Sequence, residues 1–293
     1  MLLTCLRLAP FSFRASALLL AVFLCAGELA SPVGAQDAPA EPLYPKGVAV
    51  GPDGSRYVVD RNLPGVWRIK DGVAEVWVRG SERNREPLNA PHCIAIDAEG
   101  QVYVGDSAGC NVYRVAPGAA PEPISPERIG VPMALAIDSG GAIYVADIEV
   151  HRIVKLTPTA EGTTAETIAR VRAPRGLAID PESRLWIISG YQDPVRRLAA
   201  DGTVEVIVSG TPLPYPAGIA IDADGQAWVT DSYDRSVSQV TADGKLEAVV
   251  QGDPLVYPVG ISATADGLIV ADSRLPGLWR IVDGVATQEF PTP

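Results

Sequence analysis

The sequence predicts an all-β fold, a six-bladed β-propeller of four-stranded antiparallel blades. Three observations predict it. A phrase opening Pro-x-Gly recurs with its proline at Pro45, Pro91, Pro132, Pro174, Pro216 and Pro258, at steps of 46, 41, 42, 42 and 42 residues. Each copy holds four short runs of strand-forming residues separated by Gly, Asp and Pro turns, the pattern of a β-meander. The register also repeats: Asp60, Asp106, Asp147, Ser189, Asp231 and Asp272 close the second run, and positions six and nine residues further on are always aliphatic. A period near 42 with four strands per unit is that of a propeller blade, which cannot bury both faces alone but can in a closed ring.

The chain divides accordingly. Residues 1–35 read as a secretory signal peptide: Arg7 and Arg14 precede the apolar run Ala15–Gly27, and Val33-Gly34-Ala35 offers a small-residue cleavage site before Gln36. The apolar run is too short for a membrane span, so the expected destination is secretion or the periplasm, with no membrane span left after cleavage. Residues 36–42, QDAPAEP, form a linker, and 43–293 form the propeller. Its blades fall at about 43–80, 88–126, 129–169, 171–210, 213–252 and 255–290.

The first blade is followed by the one sizeable insertion, Ser81–Pro87, whose Arg83 and Arg85 are candidates for ligand or partner contact. The second blade ends in the Pro-rich segment Pro117–Pro126, which predicts a weak or missing outermost strand. The third has a long outer turn predicted at Thr157–Thr164. The fourth departs from the repeat at Ser189 and at Glu182-Ser183. The fifth, around YPAGIAIDADGQAWVTD, is the cleanest. The sixth supplies its own last strand, VATQEF, so no strand exchange is predicted and closure rests on packing of the first blade against the sixth. Trp67 and Trp279, in the related loops DRNLPGVWR and DSRLPGLWR, are expected to fill blade interfaces.

Charge narrows the function. The whole chain carries −11, and loss of Arg7, Arg14 and Glu28 with the signal leaves 22 cationic against 34 anionic side chains, a net −12. A surface this acidic repels phosphate backbones, so a nucleic-acid partner is not expected. The two cysteines outside the signal, Cys93 and Cys110, lie at the same end of one blade and are candidates for a disulfide in an exported protein; two free thiols are the alternative.

The repeated aspartates read as structural, accepting backbone N–H bonds in the loop that follows each of them. Function belongs where the repeats differ. The variable x of Pro-x-Gly stands at the mouth of the central channel and reads Lys46, His92, Met133, Arg175, Ala217 and Val259. Lys46, His92 and Arg175 converging on one mouth point to a small anionic ligand. Tyr44, Tyr215 and Tyr257 precede the proline in three adjacent blades and form one aromatic arc, suited to a sugar, peptide or protein partner.

The repeat resembles the NHL repeat, most clearly in PMALAIDSGGAIYVADIEVHRI, residues 132–153, and the resemblance covers about residues 43–290. It implies a six-bladed propeller and leaves function open. PHCIAID at His92 is similar to a segment of peptidyl-hydroxyglycine amidating lyases, where several histidines hold zinc. Here the matching positions carry one histidine, too few for a catalytic zinc site. Lactonases resembling regucalcin hold a divalent cation with Glu, Asn and Asp ligands; Lys46 and Arg175 or Ala217 stand in those places. No cofactor is expected on these residues, zinc and calcium being the metals the resemblances would supply. The expected function is a recognition scaffold for a protein, peptide or small anionic ligand at the Pro-x-Gly end. The alternative is a propeller hydrolase or lyase, lactonase-like or amidating-lyase-like, working around His92.

Overall fold

The structure, a computed structural model, describes residues 44–199 and 201–291. The predicted signal and linker lie outside the described residues. Twenty-four strands, from β1 (Pro45–Val50) to β24 (Val285–Phe290), form six four-stranded antiparallel sheets in which consecutive strands are neighbours. The all-β six-bladed propeller is therefore the observed fold. No helix among the described residues is long and apolar enough to cross a membrane.

Six apolar clusters hold the ring, one between each pair of adjacent blades. The sixth-to-first interface is built like the others, with Val58, Trp67, Ile269, Leu278 and Phe290 buried together. Ser273 Oγ donates to the Pro45 carbonyl at 2.7 Å across this seam, and Arg56 pairs with Glu289 at 2.5 Å. Closure thus rests on packing, with every blade keeping its own four strands. Trp67 lies in this interface, and Trp279 packs in that between the fifth and sixth blades.

One local prediction is revised and another holds. The stretch 157–164 is a continuation of strand. β11 (Arg152–Thr159) and β12 (Gly162–Arg170) pair through Thr157↔Thr164 and Thr159↔Gly162, because the β-branched threonines favour the extended conformation over a long turn. The outermost strand of the second blade is β8 (Glu122–Pro123), only two residues long, as the prolines around it dictate.

The Pro-x-Gly phrase has a geometric meaning. In each blade the proline pairs with the residue closing the second strand, as in Pro45↔Asp60, Pro91↔Asp106 and Pro174↔Ser189. Register then slips by one residue, a bulge that leaves x unpaired and re-aims its side chain toward the channel. The glycine lets neighbouring blades approach at the axis. A Cβ at Gly260 would stand 2.9 Å from Gly47 Cα, and one at Gly218 would stand 2.5 Å from the Val259 carbonyl oxygen.

The aspartates do what every blade requires. Asp60 is fully buried and accepts from Tyr44 N (2.8 Å), Asn62 N (2.6 Å) and Leu63 N (3.0 Å). Asp231 does the same for Tyr215, Tyr233 and Asp234. Each carboxylate ties the entry of the inner strand to the loop after the second strand.

Candidate functional site

The six bulged positions line the mouth of one narrow central channel. Lys46, His92, Met133, Arg175, Ala217 and Val259 all border it, together with the residues that follow them on the inner strands. Its free volume is about 90 Å³, room for a few waters. The channel itself is too narrow for more, and its open mouth is at the end where the inner strands begin. Tyr44, Tyr215 and Tyr257 stand on that same end, and the Tyr215 and Tyr257 rings are 6.1 Å apart.

Cations are stacked on these rings. The Arg175 guanidinium lies 3.9 Å from the centre of the Tyr215 ring. Arg274 lies 4.7 Å from that of Tyr257, and Arg61 and Lys46 lie 5.4 and 5.8 Å from that of Tyr44. Arg172 covers Tyr191 at 3.9 Å. Arg175 has space because blade four carries Gly190 after Ser189: a Cβ at 190 would stand 2.4 Å from Arg175 Nε. The departure of this blade from the repeat thus makes room for a channel-mouth guanidinium.

Ion pairing singles out the same end. Cations at the other end are neutralised, as in Arg68–Glu75, Arg114–Glu122, Arg184–Asp180, Arg197–Glu205 and Arg280–Glu289, whereas at the Pro-x-Gly end some are paired, as in Arg152–Asp147, and others are not. Lys46, Arg61, Arg79, Arg85, Arg170, Arg172, Arg175 and Arg274 have no ion pair among the described residues. All eight lie at the Pro-x-Gly end, in a chain of net charge −11. The unpaired cations of this acidic protein thus stand at one end, where the buried Asp60, Asp106, Asp231 and Asp272, spent on backbone N–H groups, lie beneath them.

His92 sits within this field. Burial, with the positive charges of Lys46 and Arg61, lowers its pKa from 6.5 to about 4, so the ring is neutral at neutral pH. Its Nδ1 is buried without a hydrogen-bond partner among the described residues, as is Arg175 Nε. Burial raises the Tyr257 phenol, with Tyr215 and Tyr44 acting in the same direction and Arg274 against it.

The structure thus gathers Lys46, His92 and Arg175 around one channel and places the three tyrosines beside them. Sequence reasoning missed Arg61, Arg172, Arg274 and Tyr191. The signal was present in the residues flanking the repeat marks, since Arg61 and Arg274 follow Asp60 and Asp272 by one and two places. The insertion is a turn held by its own bonds, Arg83 pairing with Glu86 at 3.7 Å and Asn89 Nδ2 donating to the Ser81 carbonyl at 2.9 Å. Neither Arg83 nor Arg85 borders the channel.

The Cys93–Cys110 disulfide is not formed, and both thiols are free. Cys93 turns into the interface with the third blade, its Sγ 3.3 Å from the Pro132 carbonyl. Cys110 occupies a turn with φ of 51° and contacts the Ser107 carbonyl at 3.4 Å. The two share an end of the blade but face different neighbours.

Zinc or another divalent cation, the metal of the resembling families, does not fit this mouth. The donors are one imidazole set between Lys46, Arg61 and Arg175, which repel a cation. Among the described residues no group of three or more His, Cys, Asp and Glu side chains stands together. The chemistry on offer is that of fixed positive charge and one neutral imidazole.

Comparison with known proteins adds a family. The virginiamycin B lyase family model matches residues 83–293. A catalytically inactive histidine-to-alanine variant of virginiamycin B lyase from Staphylococcus aureus, solved with quinupristin, is similar in fold. It has a TM-score of 0.63 and 15% identity, over 82% of this chain and 80% of that one. A gluconolactonase from Xanthomonas campestris gives a TM-score of 0.67 and 17% identity, over 81% and 85%. A chain of a nidogen–laminin complex gives 0.66 and 19%, over 77% and 89%. At these identities the likeness is one of fold. No curated protein sequence matches the chain.

Proposed function

The chain belongs to the virginiamycin B lyase family, and on that premise we propose that its channel mouth binds a small anionic ester or lactone and opens it. One observation carries the reading: the unpaired cations of an acidic propeller surround a neutral, half-buried imidazole. Lys46 and Arg175 hold negative charge on the ligand, and His92 is the base.

The residues have defined tasks. Arg175, fixed against Tyr215, and Lys46 bind a carboxylate or the carbonyl oxygen on which charge develops. His92 takes a proton through Nε2, since Nδ1 is buried. In elimination the proton leaves a carbon that stands beside a carbonyl and next to the carbon bearing the ester oxygen. The C–H electrons form the double bond between these two carbons, and the ester oxygen departs with the C–O pair as a carboxylate. In hydrolysis the proton comes from a water that attacks the carbonyl. A histidine with pKa about 4 is a weak base in the free protein. An anionic ligand offsets the repulsion from Lys46 and Arg61, so basicity rises when substrate is bound.

A second reading keeps the same site without turnover. Stacked pairs such as Arg175 on Tyr215 and Arg274 on Tyr257 are typical of recognition surfaces. A protein or peptide with an acidic patch would then be the partner. In either reading the chain is an exported protein, cleaved after Ala35.

Assay of the mature chain with glucarolactone, a carboxylate-bearing lactone, and with gluconolactone and quinupristin as comparisons that lack the negative charge, separates these readings. Elimination conserves the mass of the ring-opened product, whereas hydrolysis adds one water. Turnover is expected to fall by roughly two orders of magnitude in His92→Ala. Turnover that His92→Ala leaves unchanged removes the base assignment. Binding of anions with no turnover of any ester selects the recognition reading.

A further inference from the structure

The repeat defines a rule on the opposite end of the ring, and one blade breaks it. Near its start each second strand carries Tyr57, Tyr103, Tyr144, Trp186, Trp228 or Ile269. Its cross-strand partner on the third strand is Arg68, Arg114, Lys155, Arg197, Gln239 or Arg280, in that order. Five blades place a cation there. In blades three and four the cation lies over the aromatic ring, Lys155 at 5.2 Å from Tyr144 and Arg197 at 5.4 Å from Trp186. In these two blades the turn carboxylate that binds the aromatic is neutralised too, Asp138 by Lys155 and Asp180 by Arg184. In blade two Asp97, which accepts from Tyr103, has no ion pair among the described residues, and Arg114 pairs instead with Glu122.

Blade five keeps the aromatic and the carboxylate and loses the cation. Trp228 Nε1 donates to Asp222 Oδ2 at 2.8 Å, matching Trp186 and Asp180. Its cross-strand partner is the neutral Gln239. Asp222 has no ion pair among the described residues. A cavity of about 600 Å³ opens at this spot, between blades five and six. Trp228, Leu268 and Ile281 supply apolar wall; Asp224 and Asp283 stand on the rim without ion pairs among the described residues, while Asp266 beside them is paired with Arg280. No lysine or arginine lines it.

We infer that this groove binds a small organic cation, an ammonium or guanidinium group on an apolar body, which supplies the charge that the other blades supply themselves. The tryptophan face and the Asp222 carboxylate take the cationic head. The cavity has the size of a small-molecule site, and its acidic rim excludes the anions that the channel mouth attracts. The site is independent of the channel-mouth reading.

The test is calorimetric titration of the full mature chain with phenethylammonium chloride, and with 2-phenylethanol and phenylacetate as neutral and anionic probes of the same shape. Saturable binding of the ammonium alone is expected. Gln239→Arg, which restores the rule, should weaken it by about tenfold or more while leaving the fold intact. Trp228→Leu should do the same, with melting followed by circular dichroism to confirm folding. Equal binding of the alcohol, no saturable binding of the ammonium, or binding unchanged in Gln239→Arg each overturns the proposal. Capture of an oligolysine peptide without binding of the free amine would do so as well, assigning the groove to a protein partner.

Discussion

His92 and Arg175 are set by neighbours that the repeat itself does not require. Burial and the charges of Lys46 and Arg61 hold His92 neutral down to a pKa of about 4. The unfolded chain takes up a proton near 6.5, so it binds more protons than the folded chain between these values. Stability is therefore full above about pH 6.5 and falls as pH drops toward 4, by at most about 3 kcal/mol. Urea unfolding across this range should show the loss in the parent and not in His92→Gln; equal acid sensitivity of both contradicts it. Arg175 depends on Gly190 for clearance. Gly190→Ala should displace the guanidinium from Tyr215 and weaken anion binding by about tenfold, with little change in melting temperature. Unchanged binding would show that Arg175 does not hold the ligand.

Within a blade, the decisive unit is the inner hairpin, where a bulge aims x at the channel and a buried carboxylate ties the two ends. Asp60→Ala strips three backbone N–H groups of their acceptor. It should cost about 3 kcal/mol or more in urea unfolding; a loss well under 1 kcal/mol would mean the loop finds water instead. This element was legible in the sequence because the proline, the small residue and the aspartate recur at constant spacing, and spacing is what a bulged hairpin fixes. The position of Lys46, His92 and Arg175 at the mouth followed from the same spacing. What spacing does not carry was missed. Arg61, Arg172 and Arg274 lie outside the repeated positions, and their service to the site depends on which tyrosine each side chain reaches. The threonines at 157–164 looked like a turn because Pro158 and Gly162 punctuate them, but the pairing of β11 with β12 outweighs that signal. The two thiols share an end of a blade, yet sequence does not report that Cys93 turns toward Pro132.

At the scale of the ring, six equivalent apolar interfaces close the molecule with no shared strand. The seam between the first and last blades should therefore be as costly to damage as any other. Leu278→Ala, fully buried there, is expected to lose about 3 kcal/mol in a single cooperative transition. A separate early transition confined to the seam would contradict equivalent closure. The ring also separates charge. Its Pro-x-Gly end gathers the unpaired cations around a neutral imidazole, and its other end offers the acidic groove at Trp228.

The most direct measurement of the central claim is the NMR titration of His92, with and without malonate as an anionic probe. The chain outside the predicted signal has two histidines, and His151→Gln assigns their resonances. In the free protein His92 should titrate near 4. Saturating malonate should move that value upward by about one unit or more as its charge offsets Lys46 and Arg61, and Arg175→Ala should blunt the change. A free value near 6.5, or a value that malonate does not move, would contradict a channel mouth that joins anion binding to a histidine base.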